Sequence, residues 1–276
     1  MTLISILIAT LAAGIGSVWL AAGLMRLGFR VQGGAGAATH VGPQHLLSLA
    51  AGALLATSFM HLLPEAFESE AGPQALFSVL LFGLVFFFLL DKAELWHHGH
   101  EHHHDHDHDH DHEHGAHEHH DEPRPLRSGG WAVLTGDSVH CFGDGVLIAS
   151  AFVADLRLGL VAAVAVLAHE VPHHIGDLAV LRASSGNRRV ALIKVSLAGA
   201  VTPLGGLVGW WLVDRLHGWL PYFLAVASSS FIYVALADLI PQLQKRLTAR
   251  ETLAQIFWLL VGIALVTGLS SLFHSH

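Results

Sequence analysis

The chain is predicted to be an all-α integral membrane protein with eight transmembrane helices, and three observations carry that prediction. Only 13% of its 276 residues are charged and 53% are hydrophobic, whereas a soluble domain carries about 25% charged residues. Eight separate segments are long and apolar enough to cross a hydrocarbon core, which takes about 20 helical residues. In an eight-span arrangement, twelve of the fourteen Lys and Arg residues fall on one side, leaving only Arg157 and Arg215 on the other. Basic residues collect on the cytoplasmic face of a membrane.

The first segment, 3–25, is apolar throughout, and its first basic residues, Arg26 and Arg30, follow the run. A cleaved signal peptide has the opposite order, so this is read as a retained span with its N-terminus outside. The second span, 44–66, ends in FMHLLPEA, and the third, 75–95, holds the cleanest apolar run, ALFSVLLFGLVFFFLL. The fourth is placed at 131–153, the fifth at 158–181, the sixth at 191–213, the seventh at 220–243 and the eighth at 253–273. The fifth and seventh are richer in small and polar residues and are expected to face protein rather than lipid. Both termini then lie outside, and the expected location is the plasma (inner) membrane.

Between the third and fourth spans, residues 97–122 carry nine carboxylates and no Lys or Arg, and fourteen histidines fall within 97–120. Alternating His and Asp cannot build a core. The segment is expected to be a disordered cytoplasmic loop that binds several metal ions weakly. It also accounts for the net charge of −8, since the rest of the chain has thirteen acids against fourteen bases. Nothing there forms the basic face that nucleic-acid binding needs. The single cysteine, Cys141, excludes an intramolecular disulfide.

An internal echo links the second and seventh spans. FMHLLPEA and ALADLIPQ each place an ionisable residue three before a proline, His61 before Pro64 and Asp238 before Pro241. The second span runs outward and the seventh inward, which suggests an inverted repeat in a 3+2+3 plan. His61 and Glu65 at the outer end of the second span, with Glu68 and Glu70 beyond, and Asp238 toward the inner end of the seventh are candidate entry and exit groups.

The fourth and fifth spans carry the chemistry. The fourth, WAVLTGDSVHCFGDGVLIASAFV, places His140 and Asp144 four apart on one helix face. The fifth carries His169, Glu170, His173, His174 and Asp177 within AHEVPHHIGD. Ionisable groups within spans are costly and mark functional paths. Counting about 1.5 Å per residue, His140 and His169 lie at similar depth near the midplane. Two helices can then present His140, Asp144, His169 and His173 to one point. Imidazoles with a carboxylate suit a borderline divalent ion such as zinc. Pro172 is expected to kink the fifth helix, with Gly143, Gly145 and Gly176 loosening the same region.

These residues resemble the ZIP family of divalent-metal transporters. HCFGDG at 140–145 is similar to that family's fourth-span motif, HNxxDG or HNxPEG, and HEVPHHIGD at 169–177 to the fifth-span motif HExPHExGD of its histidine-rich subfamily. The resemblance implies a primary site of His140, Asp144, His169 and His173, with Glu170 in an adjacent second site. It further implies influx toward the cytoplasm, a homodimer and an elevator-like motion of the central spans. Zn²⁺ would be the transported substrate, with Cd²⁺, Fe²⁺ or Mn²⁺ as alternatives, and no catalytic cofactor. The chain departs from the pattern at Cys141, where the family has asparagine, and at His174, where it has glutamate. It departs again at Thr202, which stands before Pro203 where many bacterial members carry a carboxylate.

His169-Glu170-Val171-Pro172-His173 also fits the H-E-x-x-H pattern of zinc proteases. An intramembrane zinc metalloprotease is therefore the alternative function. It would use Glu170 as general base, but it leaves His140, Asp144 and the histidine-rich loop unexplained. A transporter, not an enzyme, is the expectation. No G-x-x-x-x-G-K-[ST] phosphate loop is present.

Overall fold

The structure, a computed structural model, describes residues 2–27, 42–99, 129–243 and 248–272. Among these residues there is no strand. Eight helices are long and apolar enough to cross a membrane. They are α1 (Thr2–Arg26), α2 (Gln44–Phe67), α3 (Pro73–Leu90), α4 (Leu134–Ala154), α5 (Leu156–Ala183), α6 (Arg188–Arg215), α7 (Leu220–Ala237) and α8 (Ala249–Leu272). Each overlaps a predicted span. Residues 100–122 of the histidine-rich segment lie outside the described residues, as does the side chain of Asp238.

Short, well-capped connections set how α4, α5 and α6 meet. Asp155 alone separates α4 from α5. Its backbone is extended and its carboxylate accepts from the N–H groups of Arg157 and Leu158, at 2.8 and 3.3 Å. That is N-terminal capping, which satisfies donors a helix start leaves open. The α5 helix continues to Ser185 and stops at Gly186, whose φ of 63° lies in the left-handed region that glycine adopts without penalty. Asn187 then caps α6 by accepting from Arg189 and Val190. The α6 helix is interrupted at Ala200 and restarts at Val201. Pro203 explains the position, because a missing N–H is tolerated in a helix's first turn.

Among the described residues, three helices contain a π-helical turn: Ala12–Gly16 in α1, Ser58–Leu62 in α2 and Val234–Leu239 at the end of α7. The last two stand directly ahead of Pro64 and Pro241. A proline removes one hydrogen bond and crowds the carbonyl a turn earlier, and the wider π turn makes room for it. FMHLLPEA and ALADLIPQ therefore share a backbone feature as well as a spacing. Pro172, by contrast, lies inside α5 without interrupting the helix between Leu156 and Ser185.

Glycines bring helix backbones into contact. A Cβ on Gly145 would sit 2.0 Å from the Thr202 carbonyl oxygen, and one on Gly205 would sit 2.0 Å from the Phe142 carbonyl oxygen, so α4 and α6 touch. Gly145 thus serves close packing and does not loosen the region as the sequence suggested. Gly143 and Gly176 have open space around them. Gly14 and Gly199 join α1 to α6, and Gly52 and Gly262 join α2 to α8. Small residues at such crossings are the usual means of helix association in lipid.

Among the described residues, two apolar cores result. The larger involves α1 to α5, α7 and α8, with Leu54, Ile148, Val166 and Phe231 fully or almost fully buried. The smaller, with Val18, Leu134, Ile175, Leu178 and Val195, closes the end where α4 begins and α5 stops. The buried polar residues Asp144, His169, Glu170 and His174 belong to neither core. The most buried spans are α2 and α5, and the least buried are α3 and α8.

Candidate metal site

The α4 helix offers Asp137, His140, Cys141 and Asp144, spaced i, i+3, i+4 and i+7, which is one helix face. The α5 helix offers His169, Glu170, His173, His174 and Asp177. The one-residue link at Asp155 makes the two helices antiparallel neighbours. Asp144 therefore meets His169, and Asp137 meets the His173–Asp177 turn. Among the described residues, three groups of potential ligand atoms result, the atoms of each lying within 4.8 Å of one another.

The first group is His140, Asp144, His169 and Glu170. His169 Nε2 lies 3.1 Å from Asp144 Oδ2, 3.4 Å from Glu170 Oε1 and 3.3 Å from His140 Nε2. His140 Nε2 lies 3.2 Å from Glu170 Oε1 and 3.9 Å from Asp144 Oδ2. Tetrahedral zinc with bonds of about 2.0–2.1 Å needs ligand atoms about 3.3–3.4 Å apart. Four of these separations are near that length, and the fifth, between His140 Nε2 and Asp144 Oδ2, is longer at 3.9 Å. The tautomer of His169 agrees, since its Nδ1 is 3.2 Å from the Ala165 carbonyl and must donate there. A neutral ring then presents its Nε2 lone pair to the group, the orientation metal-binding histidines use. Asp144 Oδ2 and Glu170 Oε1 are buried and make no hydrogen bond. Buried carboxylates need a cation or donors.

The second group is Asp137, Cys141, Glu170 and His174, all four buried. His174 Nε2 is 3.1 Å from Glu170 Oε2 and 3.7 Å from Asp137 Oδ1. The Cys141 sulfur is 3.6 Å from Asp137 Oδ1 and 3.9 Å from Glu170 Oε2. Glu170 therefore faces the first group with Oε1 and the second with Oε2. The brace for His174 comes from α1. Ser17 Oγ donates to the Gly14 carbonyl within the π-helical region of that helix, and accepts from His174 Nδ1 at 3.0 Å. Again Nε2 is left free for a cation. Ser17→Ala is expected to weaken cadmium binding at Cys141 about 10- to 100-fold, the usual cost of losing such a support. A cadmium titration read by thiolate-to-metal charge transfer checks it, and an unchanged affinity would remove Ser17 from the site.

The third group is Asp137, His173 and Asp177. His173 Nδ1 is 3.3 Å from Asp177 Oδ2 and 3.7 Å from Asp137 Oδ1. Its ring is 5.5 Å from that of His140, centroid to centroid. All eight residues singled out from the sequence therefore meet along one α4–α5 seam. His173 groups with Asp137 and Asp177, while Glu170 takes the place beside His140, Asp144 and His169. Sequence reasoning missed Asp137 and Ser17. The signal for Asp137 was present, because it precedes His140 by three residues and Cys141 by four. Thr202 is buried beside Cys141 and contributes no carboxylate. The second group draws its charge from Asp137 and Glu170 instead.

Comparison with known proteins gives an independent line. The family model described as ZIP Zinc transporter matches residues 92–270. Zinc transporter ZIP10 of Danio rerio is 33% identical over 153 residues, covering 53% of this chain and 18% of that protein. The Zinc transporter ZIP13 homolog of Drosophila melanogaster is 27% identical over 277 residues, covering 83% of this chain and 77% of that protein. Zinc transporter ZIP4 of Homo sapiens is 35% identical over 151 residues, covering 53% of this chain and 23% of that protein. The alignments thus span less than a quarter of the ZIP10 and ZIP4 proteins.

Proposed function

Because this chain belongs to the ZIP zinc transporter family, we propose that it carries divalent cations, zinc foremost, across the membrane into the cytoplasm along the α4–α5 seam. The observation that carries the reading is the first ligand group, whose two imidazole nitrogens and two carboxylate oxygens approach tetrahedral spacing among buried, hydrogen-bond-free oxygens. Mixed nitrogen and oxygen donors suit zinc, and the Cys141 sulfur of the second group adds a soft donor that suits cadmium as well. Iron and manganese are weaker candidates on the same ground. Zinc is the substrate here, and the chain needs no catalytic cofactor.

The protease alternative requires His169 and His173 on one ion with Glu170 set behind them as a base. In the structure Glu170 stands among the ligands, 3.4 Å from His169 Nε2, and His173 turns to Asp137 and Asp177. That arrangement favours ion passage over peptide hydrolysis.

The distribution of Lys and Arg supports outside termini and a plasma-membrane location. In that orientation, a cavity of about 310 Å³ lined by His61, Glu65, Glu68, Asp155 and Arg157 lies at the outer mouth. Its carboxylates attract cations. The shared π turn and proline of α2 and α7 support the inverted-repeat plan for spans one to three and six to eight. The histidine-rich loop would buffer metal at the cytoplasmic exit. The exposed apolar faces of α3 and α8 are available to lipid and to a second copy in a homodimer.

The test is zinc entry into proteoliposomes with a trapped fluorescent indicator, using wild type beside His140→Ala and His169→Ala. Entry in wild type and background rates in both variants are expected. Tight zinc binding with no entry would sink the transport reading. Protons compete with the metal for the same lone pairs, so uptake is expected to fall as outer pH drops from 7.5 to 5.5. A rate constant across that range would show that these histidines do not bind the ion.

A further inference from the structure

We propose that Asp137, His173 and Asp177 form a third cation station, one turn beyond the first ligand group, through which the ion leaves the seam. The proposal rests on the transport reading above. Asp137 is the residue that joins the station to the Cys141 group, since its Oδ1 faces Cys141 and His174 on one side and His173 on the other.

Potential ligand atoms of the three side chains lie within 4.8 Å of one another. His173 Nδ1 is 3.3 Å from Asp177 Oδ2 and 3.7 Å from Asp137 Oδ1. Asp137 is buried, and its other oxygen, Oδ2, has no hydrogen-bond partner. A buried carboxylate short of donors is a place for a cation. One imidazole nitrogen and two carboxylate oxygens make an incomplete shell for a borderline divalent ion, leaving positions for water. A shell of that kind holds an ion and releases it, as conduction requires.

Position along the helices gives the direction. Residue numbers fall along α4 and rise along α5 toward the end where α4 begins and α5 stops. Moving from Asp144 and His169 to Asp137 and Asp177 is therefore one displacement made on both helices at once. Exposure defines the route. The side chains of His140, His173 and Asp177 are 26%, 36% and 14% exposed, whereas those of Asp137, Glu170 and His174 are 2% exposed or less. The first and third groups thus share an open side, along which the His140 and His173 rings stand 5.5 Å apart. The Cys141 group is a closed pocket beside that route. An ion passing from His140 and His169 to His173 keeps an imidazole and a carboxylate within reach throughout.

Cadmium alone is the probe. Cys141 is the only cysteine in the chain, so Cys141→Ser is spectroscopically blank and the histidine-rich loop gives no thiolate band. In the purified full-length double variant Cys141→Ser/Asp177→Cys, cadmium is expected to restore a thiolate charge-transfer band. Adding Asp137→Asn or His173→Ala is expected to weaken cadmium affinity at least about 10-fold, the scale on which losing even a supporting partner is felt. Absence of the band in folded protein, or an affinity indifferent to both additions, would overturn the station. If the double variant does not fold, Asp177→Asn decides. It is expected to keep the Cys141 band and lower the maximal uptake rate at least about 10-fold, whereas unaltered uptake would overturn the proposal. Because the band needs no transport, the expected band in the variant, together with a wild-type protein that moves no zinc, would overturn the transport reading and leave the station standing.

Discussion

Glu170→Gln is expected to abolish metal uptake and to weaken zinc binding on the order of 100-fold or more, the largest effect of any single substitution on the seam. The glutamate divides its oxygens, with Oε1 3.2 Å from His140 Nε2 and Oε2 3.1 Å from His174 Nε2. Glutamine has the same shape but one acceptor and one donor. Whichever way its amide turns, one ligand group meets an N–H where it needs a lone pair. The overall fold is expected to persist, because the change also removes a buried charge. Equilibrium dialysis with zinc, beside flux in proteoliposomes, measures both effects. The outcome also separates the two functional readings. If Glu170 were the base of a protease, the variant would keep its zinc and lose only chemistry. Retained zinc affinity would therefore argue against the shared-ligand geometry.

Gly145→Val is expected to lower stability by about 3 kcal/mol or more, at the upper end of what overpacked sites cost. A Cβ there would stand 2.0 Å from the Thr202 carbonyl oxygen and 2.7 Å from the Gly206 nitrogen. Both are backbone atoms, so neither can rotate away. The α4 and α6 helices would have to separate, carrying Asp144 with them. Gly143→Val, two residues earlier, is the matched control, since nothing lies within 4 Å of its Cβ position. Thermal unfolding in detergent reads the contrast. Equal melting temperatures for the two variants would show that α4 and α6 do not touch as described.

Much of this architecture was legible in the sequence because lipid simplifies the reading. A helix that must satisfy all its backbone groups internally shows up as an apolar run, and span boundaries such as 158–181 against Leu156–Ala183 follow. His140, Asp144, His169 and Glu170 were legible because polar side chains stand out against such runs. What could not be read was which of them meet. His169 and His173 are a full turn apart on α5, and α4 offers ligands at two levels, so each histidine joins the level nearest to it. Glu170 belongs to both levels because its two oxygens diverge. Ser17 lies 157 residues from His174, and no local pattern can announce a partner so distant. The π turns were also hidden, since one extra residue per turn leaves hydrophobic composition unchanged. Gly145 misled for a related reason: glycine permits looseness and close approach alike, and only the neighbouring backbone decides between them.

The single-residue connection at Asp155 has a consequence for how the protein is made. Every ligand atom of the three groups lies between Asp137 and Asp177, in two helices that are consecutive in the chain. Contacts of short sequence separation form early and fast, and chains assemble unit by unit from the N-terminal end during synthesis. The ligand residues are therefore expected to meet once this one hairpin has formed, with the packing of α6 to α8 adding burial to it. A cation bound to the hairpin would favour its folded form by mass action, so metal supply during biogenesis would bear on the yield of assembled protein as well as on its traffic.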